Sequence, residues 1–175
     1  MNYIKQPLLI LAMVAFVGCG KKGDGNTGVV NPNKPSPKAV PEKLIADSIL
    51  EEQIREALKK PEGELTEADL KKVTGISLHS TQVTDAVLKE VAKLQNLEDL
   101  DLGDTQVTDA VLKEVAKLKK LTHLSLSGTK TTDTGLKEVA KLQKLKLLSV
   151  ADTKVTKAGV AEFKKALPNC NIFGP

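Results

Sequence analysis

Two hydrophobic periods alternate along residues 76–175, and the switch between them recurs every 24 residues. In the clearest unit Leu97, Leu100 and Leu102 form an L-x-x-L-x-L run whose last four residues alternate as a short strand does. Leu112, Val115 and Leu118 then recur at three-residue steps, which places them on one face of a helix. Thr108 and Asp109 stand between the two, and their side-chain oxygens suit the first free amides of a helix. The segment Thr81–Leu94 returns letter for letter at Thr105–Leu118, and in altered form from Thr129 and from Thr153. A strand followed by a helix in each unit stacks its strands parallel, because the helix carries the chain back to its start. The predicted fold is therefore an α/β right-handed solenoid, with strands on the concave side, helices on the convex side, and each coil buried only by its neighbours.

The ends of this array follow other patterns. Residues 42–75 read as a helical N-terminal cap. Ser48-Ile49-Leu50-Glu51 has capping-box spacing, and Leu50, Ile54, Ala57 and Leu58 mark one helical stripe that stops at Pro61. Thr66–Leu70 begins a second short helix leading into the first strand within Val73–Leu78. At the other end the last spacing shortens by two, so that Leu167, Cys170 and Ile172 fall into the leucine frame and Cys170 takes a core position on the terminal strand. Such a cysteine is either a buried, inert thiol or a partner for another chain, and the core position favours the first.

The run L-x-x-L-x-L-x-x-T-x-V-T-D-x-x-L-K-x-V-A-x-L resembles a bacterial leucine-rich repeat of the variant with Thr at the usual Asn position, held here by Thr81, Thr105, Thr129 and Thr153. Its Thr-Asp and Leu-Lys half also resembles repeats of eukaryotic F-box proteins, but this sequence holds no F-box-like segment and no ubiquitin-ligase role carries over. Leu50–Leu78 resembles the helical cap of internalin-like secreted bacterial proteins. The resemblance implies protein binding through the concave strands.

Ahead of the repeats, residues 1–18 read as an export signal: Lys5, the apolar run Leu8–Val17, then Gly18 and Cys19. The run is too short for a membrane-spanning helix, which needs about 20 apolar residues. Phe16-Val17-Gly18-Cys19 resembles the bacterial lipobox, with Phe16 where Leu is more usual. It implies cleavage before a lipidated Cys19; the alternative is an ordinary cleaved signal with an incidental cysteine. Residues 19–41, rich in Gly, Pro and Lys and without periodicity, suit a tether from that lipid to the domain. The expected address is the bacterial cell envelope. Gly20 behind the cysteine is compatible with sorting to an outer membrane.

Composition narrows the function classes. The chain is 41% hydrophobic but only 2% aromatic, so its core is aliphatic. Its net charge of +4 is carried by lysine with a single arginine, Arg55. Nucleic-acid readout draws on arginine and aromatic stacking, and is not expected here. No nucleophile elbow, phosphate loop or zinc-binding signature occurs, and His79 and His123, the only histidines, fall on different strands about 16 Å apart. Catalysis, a cofactor and a metal are accordingly not expected.

The candidate surface is the outward side of the strands: Ser77 and His79, then Asp99 and Asp101, then His123, Ser125 and Ser127, with Asp99 and His123 as row neighbours. Phe173, the last outward strand position, either sits near the rim of this surface or covers the exposed end of the core, and the second is favoured. Opposite lie ladders of Lys89, Lys113 and Lys137 and of Lys93, Lys117 and Lys141, with Glu90, Glu114 and Glu138 spaced for local pairing. Two functions compete: recognition of a protein by the concave side, and an envelope scaffold touching anionic cell-wall or lipid components through the basic convex side. The partner and the oligomeric state are not written in these patterns. For the anchor, Cys19→Ala is expected to abolish fatty-acid labelling and leave an uncleaved precursor. A variant that is still processed and still labelled would remove the lipoprotein reading.

Overall fold

The computed structural model describes residues 43–175; the export signal, Cys19 and the tether lie outside the described residues. Helices α1 (Ser48–Leu58) and α2 (Glu67–Leu70) precede a regular alternation. Strands β1 (Gly75–Ser77), β2 (Asp99–Asp101), β3 (His123–Ser125), β4 (Leu147–Ser149) and β5 (Asn171–Phe173) are separated by α3 (Asp85–Val91), α4 (Asp109–Val115), α5 (Asp133–Val139) and α6 (Lys157–Ala166). The five strands form one parallel sheet in chain order. Ile76, Leu100, Leu124, Leu148 and Ile172 are successive partners across it, one per coil.

Each coil closes by the same small set of bonds. The chain leaves the strand through a residue in the left-handed region: Ser80 (φ 56°), Asp104 (φ 53°), Gly128 (φ 67°) and Asp152 (φ 56°). Only glycine and short polar side chains enter that region cheaply, which explains the residue types found there. The next residue is the repeat threonine. Its hydroxyl donates to the carbonyl three residues back, from Thr81 to Leu78, Thr105 to Leu102, Thr129 to Leu126 and Thr153 to Val150, at 2.6–2.7 Å. A threonine thus satisfies a strand-end carbonyl that the turn would otherwise strand inside, at about 0.5–1.5 kcal/mol per bond. Thr131 replaces the valine of the other coils and is buried. Its hydroxyl lies 2.9 Å from that of Thr129, and because Thr129 already donates to Leu126, Thr131 must be the donor between them.

A second ladder joins later coils and is missing from the earlier ones. The Asp109 carboxylate accepts from the Thr132 amide at 2.8 Å and its hydroxyl at 2.6 Å. Asp133 does the same for Thr156, at 2.8 and 2.7 Å, and these bonds, the backbone one first, hold its carboxyl below the usual range. Asp85 makes no such bond to Thr108. The cause is one side chain: Gly135 and Gly159 stand where the earlier coils have Val87 and Val111, and a Cβ on either glycine would collide with the carboxylate of Asp109 or Asp133. Glycine here makes room for an acid from the preceding coil.

The cap closes the first end. Ile45, Leu50 and Ile54 are buried in the same core as the repeat leucines. The N-cap of α1 is Asp47, whose carboxylate accepts from Leu50 N at 2.9 Å, so Ser48 is the first helical residue and the expected capping box at Ser48 does not form. The capping box sits instead at α2, between Thr66 and Asp69. Lys60, then Thr66 and Lys72, hold the Asp69 carboxyl well below the usual carboxylate range. Thr108 also departs from expectation: it precedes α4 with no side-chain cap bond, whereas Thr132 and Thr156 cap α5 and α6.

The last coil corrects the expected shortening. Leu148 pairs with Ile172 and Ser149 with Phe173, which keeps the register at 24 residues. The longer α6 absorbs one extra residue, and one fewer separates Cys170 from the strand. Cys170 N bonds Leu167 O as Leu145 N bonds Leu142 O, so the cysteine fills the first leucine position just before β5 rather than on it. It is 3% exposed, and burial pushes its thiol up.

Two outcomes test this packing. Gly135→Val is expected to destabilise the domain by about 1–3 kcal/mol in urea unfolding, because displacing Asp109 outweighs the few tenths gained in helix propensity. With Asp109→Ala the two costs should be less than additive, since both remove one contact. In a variant lacking Cys19, Cys170 should react slowly with a thiol reagent until the protein is denatured. Cys170→Asp should cost on the order of 3 kcal/mol through an unpaired buried charge.

Candidate functional site

Alternation along the strands turns every second side chain out of the core, and the 24-residue register lines these side chains up in rows. The first row runs Gly75, Asp99, His123, Leu147 and Asn171; the second runs Ser77, Asp101, Ser125, Ser149 and Phe173. Just beyond the strands, His79, Gly103, Ser127 and Ala151 form a third row one coil apart. The sequence candidates therefore share one surface, distributed over β1, β2, β3 and β5.

Contacts within it are local. His123 Nδ1 lies 3.9 Å from Asp99 and 3.0 Å from the Thr122 hydroxyl. His79 Nε2 reaches across to Asp104 at 3.5 Å, with its ring over Gly103, where a Cβ would strike it. Asp101 accepts from the Gly103 amide at 2.9 Å, and the hydroxyls of Ser127 and Ser149 meet at 2.6 Å. Among the described residues no three His, Cys, Asp or Glu side chains gather as metal ligands. Phe173 points outward and is 58% exposed, instead of folding under the end of the core.

One member of this surface was missed in the sequence. Asp104 belongs to it through the left-handed turn that ends β2, and its signal was its place two residues past the leucine run. Leu147 faces outward in the first row, where the repeat register of the sequence puts it.

The helix side is built differently. Glu114 pairs with Lys117 at 2.7 Å and Glu138 with Lys141 at 2.6 Å. Glu90 and Lys93, the same letters one coil earlier, hold the cap instead: Glu90 accepts from Ala46 N at 3.0 Å and Asp47 N at 3.2 Å, and Lys93 donates to Leu44 O at 2.8 Å. Between α5 and α6 the small residues Ala140, Ala158 and Gly159 leave a groove of about 550 Å³, floored by Leu136 and Phe163.

Known proteins bear on this geometry as follows. The family model for the leucine-rich repeat matches residues 93–116 and 117–140. Internalin C2 of Listeria monocytogenes is similar at 24% identity and TM-score 0.54, over 74% of this chain and 64% of that one. The actin-binding site 2 of leiomodin-1 is similar at 15% identity and TM-score 0.54, over 74% and 81%. A leucine-rich-repeat protein of Leptospira interrogans matches at 24% identity and TM-score 0.47, over 62% and 27%. The chain thus spans about a quarter of the Leptospira protein and just under two thirds of internalin C2. No curated protein matches the sequence. The fold is a leucine-rich-repeat solenoid, an architecture typical of protein binding.

Proposed function

We propose that the chain is a non-enzymatic lipoprotein of the bacterial cell envelope that binds a protein partner through the concave, strand-bearing face. The observation that carries this reading is a contrast between two surfaces of one repeat. The helix side repeats its Lys and Glu letters from coil to coil, whereas the outward strand positions vary between coils, as Gly75, Asp99, His123, Leu147 and Asn171 do along the first row. Recognition needs a surface whose chemistry differs from place to place, and a solubilising one does not. The anchor is supported by Phe16-Val17-Gly18-Cys19 and the Gly/Pro/Lys segment behind it. A lipid tether would also raise the local concentration of the domain at the envelope, which suits a face with few aromatic or arginine anchors.

A second reading, an envelope scaffold, is favoured by one observation: Lys89, Lys113 and Lys137 are exposed, and none takes part in an ion pair among the described residues. Attraction of such a ladder to anionic polymer or lipid would weaken steeply with salt.

Crosslinking capture from native envelopes separates the two. Asp101→Lys with Ser125→Lys should lose the captured partner, while Lys113→Glu with Lys137→Glu should keep it. The helix-side pair should stay within about ±0.5 kcal/mol of the parent in stability, and the strand-side pair should cost about 0.5–1.5 kcal/mol through loss of the bond from Gly103 N–H to Asp101. Loss from the helix-side pair alone would sink concave recognition in favour of the scaffold.

A further inference from the structure

The charges of this protein are not spread evenly. Among the described residues no lysine or arginine occupies an outward strand position or the row just beyond the strands. Acids do: Asp99 and Asp101 stand on β2, and Asp104 projects from the turn behind it. Off this face five carboxylates have a lysine or arginine beside them, among them Glu51 with Arg55 at 2.8 Å, Asp69 with Lys60 at 2.8 Å and Glu114 with Lys117 at 2.7 Å. The strand-face acids have only imidazoles, His123 at 3.9 Å from Asp99 and His79 at 3.5 Å from Asp104. In a chain of net charge +4, this face is a local negative patch held open to solvent.

The same sheet changes character toward β5. Leu147 faces outward on β4, Ala151 lies just past it, and Phe173 on β5 is the exposed large hydrophobic side chain among the described residues. One sheet face thus carries acids at β2 and, toward β5, the apolar side chains of Leu147 and Phe173 beside Ser149, Asn171 and the turn residue Asp152.

We infer that the occupant of this face is an extended polypeptide segment carrying Lys or Arg over β1–β3 and a large apolar side chain over β5. The inference rests on the concave-binding reading above and names the partner's chemistry. Strands lie about 4.8 Å apart, so β2 and β5 are separated by roughly 14 Å. An extended chain covers about 3.3 Å per residue, which places the cation about four residues from the apolar anchor. An acidic partner would meet like charge at β2 with no lysine on the face to offset it, and charge complementarity is what selects between partners of similar shape. Phe173 then supplies an aromatic contact at the far end, of the kind on which binding surfaces concentrate their energy.

The test uses the full chain and three synthetic peptides carrying a neutral fluorophore. The first is Gly-Ser-Lys-Arg-Gly-Ser-Gly-Phe-Gly; the second replaces Lys-Arg by Glu-Glu; the third replaces Phe by Ser. Anisotropy titrations at low salt should show the first binding about ten-fold more tightly than the second, against the overall charge of the protein. The third should lose about five-fold, as expected for one aromatic anchor. In the variant Asp99→Asn, Asp101→Asn, Asp104→Asn the first two peptides should bind within about two-fold of each other. Asparagine keeps the side-chain oxygen that Gly103 N–H bonds at position 101 and tolerates the left-handed backbone at position 104, so this variant preserves the turn. Equal binding of the charged peptides, preference for the acidic one, or discrimination that survives in the triple variant would overturn the inference. If discrimination fails while Asp101→Lys with Ser125→Lys still loses the native partner, concave recognition stands and only the partner's charge is wrong.

Discussion

Leu100 lies in the sheet between Ile76 and Leu124, and Leu124 between Leu100 and Leu148, each covered by the same position one coil away. No coil of this chain could bury these side chains alone. A short strand and a two-turn helix enclose too little volume, and isolated helices of seven residues do not persist in water. The neighbouring coil therefore supplies the burial, at about 1.5–3 kcal/mol per large aliphatic side chain, and the sheet register enforces it at each step. With so few aromatic residues available, the core depends on this repetition of leucine and valine. The outward rows exist only because the inward rows are fixed.

Within that constraint, identical letters acquire different tasks. Glu90 and Glu114 belong to segments with the same fourteen residues, yet one fastens the N-terminal cap and the other pairs with a lysine one turn along. Position in the stack, not local sequence, decides. The first coil has only the cap on its outer side, so its helix-surface charges are recruited to hold main-chain amides that no preceding coil can hold. The reverse also occurs: Asp85 and Asp109 sit in the same local sequence, and only Asp109 has a glycine waiting in the next coil.

Much of the fold was legible because it is written several times. The 24-residue period, the strand at the leucine run and the helix from Asp109 all follow from spacing, and the structure places them there. What spacing could not carry was any bond whose partner lies outside its own unit. The Asp109–Thr132 bond depends on Gly135, two letters among many unremarkable ones. The last coil was misread because Leu167, Cys170 and Ile172 fit the leucine frame by letters, whereas the ladder between β4 and β5 fixes Leu148 opposite Ile172. Ser48 looked like a cap because its spacing to Glu51 was right, but Asp47, one residue earlier, has the stronger acceptor in place. The outward rows were legible as a surface, because alternation alone defines them. Asp104 was not, because the left-handed turn that brings it there is a property of the backbone.

The shared pocket of Asp and Gly has a consequence for how such a protein can lengthen. A coil with valine at the third helical position accepts no acid from its predecessor, and a coil with glycine there leaves a gap unless one arrives. Coils of the two kinds are thus directional parts: a valine-type coil inserted behind Asp109 would leave that acid as Asp85 stands before Val111, without the bond to the next threonine, and would bring its own aspartate to the pocket of Gly135. The fourteen-residue identity between Thr81–Leu94 and Thr105–Leu118 lies within the valine-type half. Because Asp85, Asp109 and Asp133 hold the same place in successive coils, a valine-type coil can be added ahead of a glycine-type one without emptying its pocket. The array can thus lengthen coil by coil while its glycines alone set the number of Asp–Thr bonds.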